Sequence, residues 1–235
     1  FENSRVRIQQ WLADGRILYA TDSAAGPANY WLLKTLNPQT LQTETLPLAD
    51  ASGGSIDEQS GSVFFSRFGL QLTGDNTKVY RGGAMGELWR WTLDSKDEAV
   101  LLSRGHNGSI SQPVFYQGRV YFVSDADGNS NIWSVASDGG DIKQHSFHKD
   151  WRIGRISVAN NQVLYQLGAD LQLLQLADGQ TKALPVAIQS DLVQQRERVI
   201  SKPLQYFNSA YYQAQQDNSD KVVITARSQL ALASS

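Results

Sequence analysis

Apolar residues cluster along the chain in short β-branched or aromatic triplets. Each follows a polar turn and leads to a second apolar strand, a Gly- or Asp-marked turn and a further strand. The triplets are Ile17-Leu18-Tyr19, Val63-Phe64-Phe65, Val120-Tyr121-Phe122, Val163-Leu164-Tyr165 and Val222-Val223-Ile224. They recur every 45 to 60 residues or so, the spacing of β-propeller blades that carry some loop insertions. The clearest unit runs from Gly118 to His148. Arg119–Ser124 alternates as a strand, residues 125–130 carry turn chemistry, and Asn131–Val135 is the next strand. Ser137-Asp138-Gly139-Gly140 then turns the chain into an outer strand beginning at Ile142. Asp, Asn and Gly accept the left-handed backbone such turns need, so the unit reads as a β-meander.

The other units follow suit. One gives strands at 17–21, 30–36 and 41–46, another at 163–166, 171–176 and 181–184. The unit at Val63 is interrupted by a polar insertion around Thr73-Gly74-Asp75-Asn76-Thr77 and resumes at Leu88–Leu93. No segment sustains a 3.6-residue apolar period. Ser190–Val199 is the one stretch expected to be helical, and Pro203 stops it. The expected architecture is therefore all-β: a partial β-propeller of about four four-stranded blades. It would occupy residues 1–188, with a connecting segment at 189–219 and the first strands of a following domain at 220–235.

Composition narrows the function. Of 235 residues, 41% are hydrophobic and 19% charged, enough apolar material for a core and too little charge for a disordered chain. Net charge is −2, which argues against a nucleic-acid partner or an anionic membrane surface, since both call for a basic field. Cysteine is absent, so disulfides, thiolate metal sites and a cysteine nucleophile are excluded. No apolar run approaches the length of a membrane-spanning helix. The chain opens Phe1-Glu2-Asn3-Ser4 and closes Ala231-Leu232-Ala233-Ser234-Ser235, so it is expected to be cut from something longer.

Candidate chemistry is sparse. Gly105-His106-Asn107-Gly108-Ser109 lacks the spacing of a nucleophile elbow and reads as a polar loop between blades. Asp125-Ala126-Asp127-Gly128-Asn129 has its glycine too early for a calcium loop, and Ala136 stands where a bidentate Glu belongs. A hairpin turn is the expected reading. His145 and His148, with Asp150 nearby, supply only part of a zinc ligand set, so no metal is expected. Arg81 beside Gly82 and Gly83 is the one candidate binding feature. A guanidinium can fork onto a peptide carboxylate, and glycines let a ligand approach backbone; Arg81 could equally tie a loop to a neighbouring blade. Trp31, Trp89, Trp91, Trp133 and Trp151 are expected in inter-blade cores.

Tyr80-Arg81-Gly82-Gly83-Ala84-Met85-Gly86-Glu87-Leu88-Trp89 resembles the Tyr-Arg-Gly-Gly segment of the tricorn proteases. Val120 to His145, with Ser124-Asp125, Gly128, Asn131-Ile132, Asp138-Gly139 and Asp141, is similar to the blade that follows in that family. Glu197-Arg198 and Pro203 resemble the linker between its first and second propellers. The resemblance covers nearly the whole chain in one order. It implies a peptidase S41-type serine protease with a six-bladed propeller, a seven-bladed propeller, a PDZ-like domain and catalytic domains. The catalytic Ser and His would lie in downstream regions, and this chain would be the later blades of the first propeller. The family's arginine pair that anchors a substrate C-terminus would fall at Glu2 and Asn3, with Arg5 and Arg7 near but out of register, so that role is not carried over.

The implied function is non-catalytic: scaffolding, and gating of peptide access or product exit. No catalytic residue, metal or cofactor is expected in the chain. Its partners would be peptides or unfolded polypeptide, plus self-association through open blade flanks. The resemblance implies a cytoplasmic location, with the periplasm as the alternative. The competing reading is a TolB-like or WD40-like protein-interaction propeller unconnected with proteolysis. A propeller glycosidase or lyase would need paired acidic residues that the scattered carboxylates do not offer.

Overall fold

A computed structural model describes residues 4–23, 30–69, 77–187, 201–212, 221–226 and 229–234, together with 195, 197 and 199. It divides into two compact units, residues 1–186 and 187–235. The expected helix at 190–199 and most of the insertion at 73–77 lie outside the described residues.

The first unit contains four antiparallel four-stranded sheets, each a meander. Blade I comprises β1 (Val6–Trp11), β2 (Ile17–Thr21), β3 (Leu32–Leu36) and β4 (Thr43–Thr45). Blade II comprises β5 (Gly53–Asp57), β6 (Ser62–Arg67), β7 (Glu87–Thr92) and β8 (Val100–Leu101). Blade III comprises β9 (Ile110–Tyr116), β10 (Arg119–Ser124), β11 (Asn131–Ala136) and β12 (Lys143–Gln144). Blade IV comprises β13 (Ile153–Ala159), β14 (Gln162–Leu167), β15 (Asp170–Gln175) and β16 (Thr181–Leu184). The first four apolar triplets lie on β2, β6, β10 and β14, the second strand of each blade. They are thus equivalent positions in separate sheets, which is what a propeller requires. The fold is a partial β-propeller.

Three apolar cores sit between successive blades. Leu18, Trp31 and Leu33 of blade I meet Ile56, Val63, Phe65 and Trp91 of blade II. Phe64, Leu88 and Leu102 meet Ile110, Val120 and Phe122. Tyr121, Val123 and Ile132 meet Ile153, Val163, Tyr165 and Leu174. The second strands alternate sides, so Phe64 and Phe65 serve opposite interfaces. This is why the triplets are apolar throughout: a strand covered on both faces has no polar side. Trp151 departs from expectation. It is 67% exposed, because its loop lays the ring flat against Gly168, where no side chain stands in the way.

The first strand of every blade was not foreseen. Each carries small or amide side chains in place of a bulky triplet. In β5, Gly53-Gly54-Ser55 is buried, and a Cβ on Gly54 would lie 2.6 Å from Leu33 Cδ1 of blade I. Only glycine allows that approach. These strands pack beside one another, β1 by β5, β5 by β9 and β9 by β13. Two of those junctions are closed by glutamines beside β-bulges. Gln10 accepts from the Ile56 amide at 2.7 Å and donates to the Ile56 carbonyl at 3.1 Å. Gln112 donates to the Gly154 carbonyl and accepts from the Ile156 amide at 3.2 Å. The side-chain amide takes the place of a strand partner that the fanned geometry withholds.

In the second unit, β17 (Phe207–Tyr212), β18 (Lys221–Ala226) and β19 (Gln229–Ser234) form a three-stranded antiparallel meander. The fifth triplet lies on its middle strand, and β17 falls inside the segment expected to be a connector. A 3-10 turn at Pro203–Tyr206 leads into it.

Replacing Gln10 with Met keeps the shape of the side chain but removes both bonds to Ile56 and the one from Ser55 Oγ. The expected loss is about 1–3 kcal/mol, the cost of backbone groups left unpaired away from water. A urea unfolding curve checks it; an unchanged midpoint would remove the glutamine from the list of blade connectors.

Candidate functional site

The four first strands line an axial cleft of roughly 300 Å³. Arg7 and Gln9 come from β1, Gly53 from β5, Ser111 and Gln112 from β9, Gly154 and Arg155 from β13. Its rim adds Lys78 and Tyr80 from the blade II insertion and Asp125 from the β10–β11 turn. The floor is polar because the residues that fit near an axis are small or are stapling amides. Gln9 accepts from the Gly54 amide at 3.2 Å, so cleft-lining side chains also hold blades together.

Arg81 stands at the rim with its guanidinium turned onto Asp125. One Nη donates to Asp125 Oδ1 at 3.1 Å, the other to the Asp125 carbonyl at 2.9 Å. Asp125 also accepts from the Ser109 amide and, through its other oxygen, from the Val79 amide, both at 2.9 Å. The carboxylate thus knots the blade II insertion, the loop before β9 and the β10–β11 turn. This geometry is that of a tie between blades. Gly82 gives space to the Tyr80 ring rather than to a ligand, whereas a side chain on Gly83 would meet open space.

Asp125-Ala126-Asp127-Gly128-Asn129 is a hairpin turn, with Gly128 at φ 98°. Asp127 accepts from Asn131 and Gln144, so its carboxylate also faces protein donors. Asn131 is fully buried and holds the loop beyond β12. It donates to the His148 carbonyl and accepts from the Ser146 hydroxyl and the His148 amide. No group of three or more His, Asp or Glu residues converges on a metal position among the described residues.

Each of the three histidines meets a hydroxyl. His106 Nε2 lies 2.7 Å from Ser124 Oγ, His145 Nε2 lies 2.8 Å from Ser134 Oγ, and His148 Nε2 lies 2.9 Å from Tyr165 Oη. Ser124 is 1% exposed, and its hydroxyl is engaged by His106. Ser134 Oγ also accepts from Arg119 Nε at 2.9 Å, so it joins the arginine to His145. Burial is the largest cause holding all three imidazoles below the ordinary 6.5. Arg119 and Lys143 press His145 the same way, while Asp125 opposes the shift at His106.

Blades joined by apolar cores around a polar axial cleft define a partial β-propeller. Comparison with known proteins specifies the family. The tricorn protease N-terminal beta propeller domain matches residues 1–180, and the chain belongs to that family. The tricorn protease of Thermoplasma volcanium is 25% identical over 173 residues, covering 74% of this chain and 16% of that protein. Tricorn protease homolog 1 of Streptomyces coelicolor is 28% identical over 179 residues, again 74% of this chain and 16% of the relative. The chain therefore spans less than a fifth of these relatives. Among solved structures, the tricorn protease superposes with a TM-score of 0.70 at 20% identity, covering 97% of this chain and 21% of the other. TolB from Acinetobacter baumannii gives 0.59 at 12% identity, covering 96% and 52%. At these identities the likeness is one of fold.

The histidines make stability depend on pH. A depressed folded pKa means the unfolded chain binds protons more readily, so their contribution is complete above about 6.5 and falls away as the pH drops toward the folded values. The melting temperature is expected to decrease between about pH 7.5 and about pH 5.5, and His106→Asn should flatten part of that slope. Calorimetry at constant ionic strength decides; a wild-type melting temperature that rises on acidification would contradict it.

Proposed function

We propose that this chain is the peptide-handling propeller portion of a tricorn-type protease. It scaffolds the parent enzyme and gates the entry of peptides or exit of products along its axis. The axial cleft carries this reading. It is lined by backbone-rich strands, amides and hydroxyls, groups that can meet an extended peptide without demanding one sequence. Membership of the tricorn propeller family supplies the context. Hydrolysis would belong to the parent's other regions, and the cytoplasmic location implied by the family is part of the same proposal. Arg81, Gly82 and Gly83 enter it as the braced rim of the passage, with Gly83 the position open to a passing chain. Residues 1–188 would form the passage, and the sheet beyond would begin the next domain.

The absence of native cysteine makes a direct test simple. Ser111→Cys puts a lone thiol on the cleft wall, and Thr181→Cys puts one on an exposed outer strand. An unstructured peptide in excess should slow maleimide labelling at position 111 and leave position 181 unchanged, and the peptide should be recovered uncleaved. Equal labelling at both positions with and without peptide would end the passage reading in favour of an interaction propeller.

A second partner is proposed from the flank of blade I. Val6, Ile8 and Trp11 of β1 are 50%, 70% and 68% exposed. Such a row is suited to meeting another apolar blade face, and a second copy of this chain can supply one at Leu184 and Val186, also exposed. Light scattering at roughly 50 µM should return more than the monomer mass, and Trp11→Glu should move it toward the monomer. A monomer mass for the unaltered chain would dismiss self-association.

A further inference from the structure

The cleft's charges are unevenly matched. Among the described residues, the cations Arg7, Lys78 and Arg155 line it against a single carboxylate, Asp125. That carboxylate is already committed to Arg81 and to the Val79 and Ser109 amides. Arg7 extends over the Trp31 ring at 4.4 Å, a stacking contact that fixes its guanidinium without neutralising it. Asp22 also acts on Arg7 electrostatically, but its carboxylate binds Arg5 at 2.6 Å. Arg155 is exposed on β13 and has no ion-pair partner among the described residues. Lys78 reaches only a neutral amide, Asn129 Oδ1, at 3.5 Å.

Arg7 and Arg155 are close enough to repel. Burial first, then Arg155, then Arg5 weaken the hold of Arg7 on its proton. Two like charges held in one polar cavity, on different blades, are unfavourable unless something negative shares the space. Exposure to water softens that cost, and an anion arriving from solvent would relieve it.

We propose that the axial cleft selects acidic peptide segments, with Arg7 and Arg155 meeting Asp or Glu side chains of the chain in transit. The walls favour a peptide over a nucleic acid. The chain carries 21 basic against 23 acidic residues, a net charge of −2, whereas nucleic acid needs an extended basic track. The Ser111 hydroxyl on the wall is a group that a peptide backbone can use. A guanidinium offers each carboxylate a planar fork. The inference rests on the passage reading and adds a charge preference to it.

The test uses the whole 235-residue chain and fluorescent peptides of about eight residues, acetylated and C-terminally amidated so that no terminal carboxylate contributes. One carries several Glu residues, a twin carries Gln at the same positions, and a third carries Lys. Anisotropy at low salt should show the Glu peptide binding about tenfold tighter than the Gln twin, the Lys peptide weakest, and the gap closing as salt rises. Arg155→Gln, on an exposed side chain, should remove most of the Glu advantage while leaving the melting temperature unchanged. Equal binding of all three peptides would overturn the charge preference and leave the passage standing. Binding of none would overturn both. An oligonucleotide of similar length binding more tightly than the Glu peptide would also overturn the inference.

Discussion

Neighbouring blades must be held together at an axis where their strands diverge and cannot pair as a sheet. Everything else in the first unit answers that constraint. Farther from the axis the solution is apolar burial, with Phe64, Val120 and Tyr165 among the fully or nearly fully buried side chains. Near the axis there is no room for such groups. There the glutamines at the bulges of β1 and β9 take over, offering both a donor and an acceptor to the next blade's backbone. One carboxamide reproduces a single rung of a β-ladder across a gap that a ladder cannot bridge. Arg90 donating to the Ser137 carbonyl and Tyr116 bonding Asn161 add further connections between blades II, III and IV.

The loops obey the same logic. Asp125 and Asn131 lie at the start and end of one hairpin, yet each serves a different neighbour. Asp125 draws in the insertion of blade II, and Asn131 fixes the chain as it passes toward blade IV. The three histidines follow suit as half-buried partners for hydroxyls, and burial favours their neutral form. Residues whose types suggest catalysis, Ser124, His106 and Asp125, are close together here because a crowded blade junction must satisfy its polar groups. Proximity of a Ser, a His and an Asp is not a triad when the hydroxyl is sealed from solvent.

What could be read from the sequence follows from which strands announce themselves. The second strands are buried on both faces and show as Ile17-Leu18-Tyr19 or Val63-Phe64-Phe65, so the number and order of blades were visible. The first strands were not, because crowding replaces their bulky residues with Gly53-Gly54-Ser55 or Ser111-Gln112-Pro113, which look like turns. The cleft was hidden for the same reason, being built from those strands. Arg81 drew notice through its neighbouring glycines, yet it is braced onto Asp125, forty-four residues away, a pairing no local pattern reveals. Arg155 sits between Gly154 and Ile156 in an ordinary-looking strand; only the return of the chain to the axis sets it near Arg7. A signal did exist in Gln9-Gln10 and Gln112, amides placed at the start of blades where apolar residues would be expected.

Cohesion of the blades and a polar cleft depend on the same glutamines. An apolar axis would close the cleft by burial, and an unpaired polar axis would cost the fold its cohesion. Glutamine avoids both outcomes, since Gln9 and Gln112 line the cleft while each bonds backbone of the next blade. With the backbone groups satisfied in this way, the unmatched charges of Arg7 and Arg155 are carried by a scaffold that does not rely on them. Among the described residues, neither arginine's side chain is seen to bond the next blade's backbone as the glutamines do. That division, amides for cohesion and guanidinium groups left out of it, is how a wall this close to the axis can hold the blades and still carry charge; under the preference proposed for the cleft, that charge meets what passes.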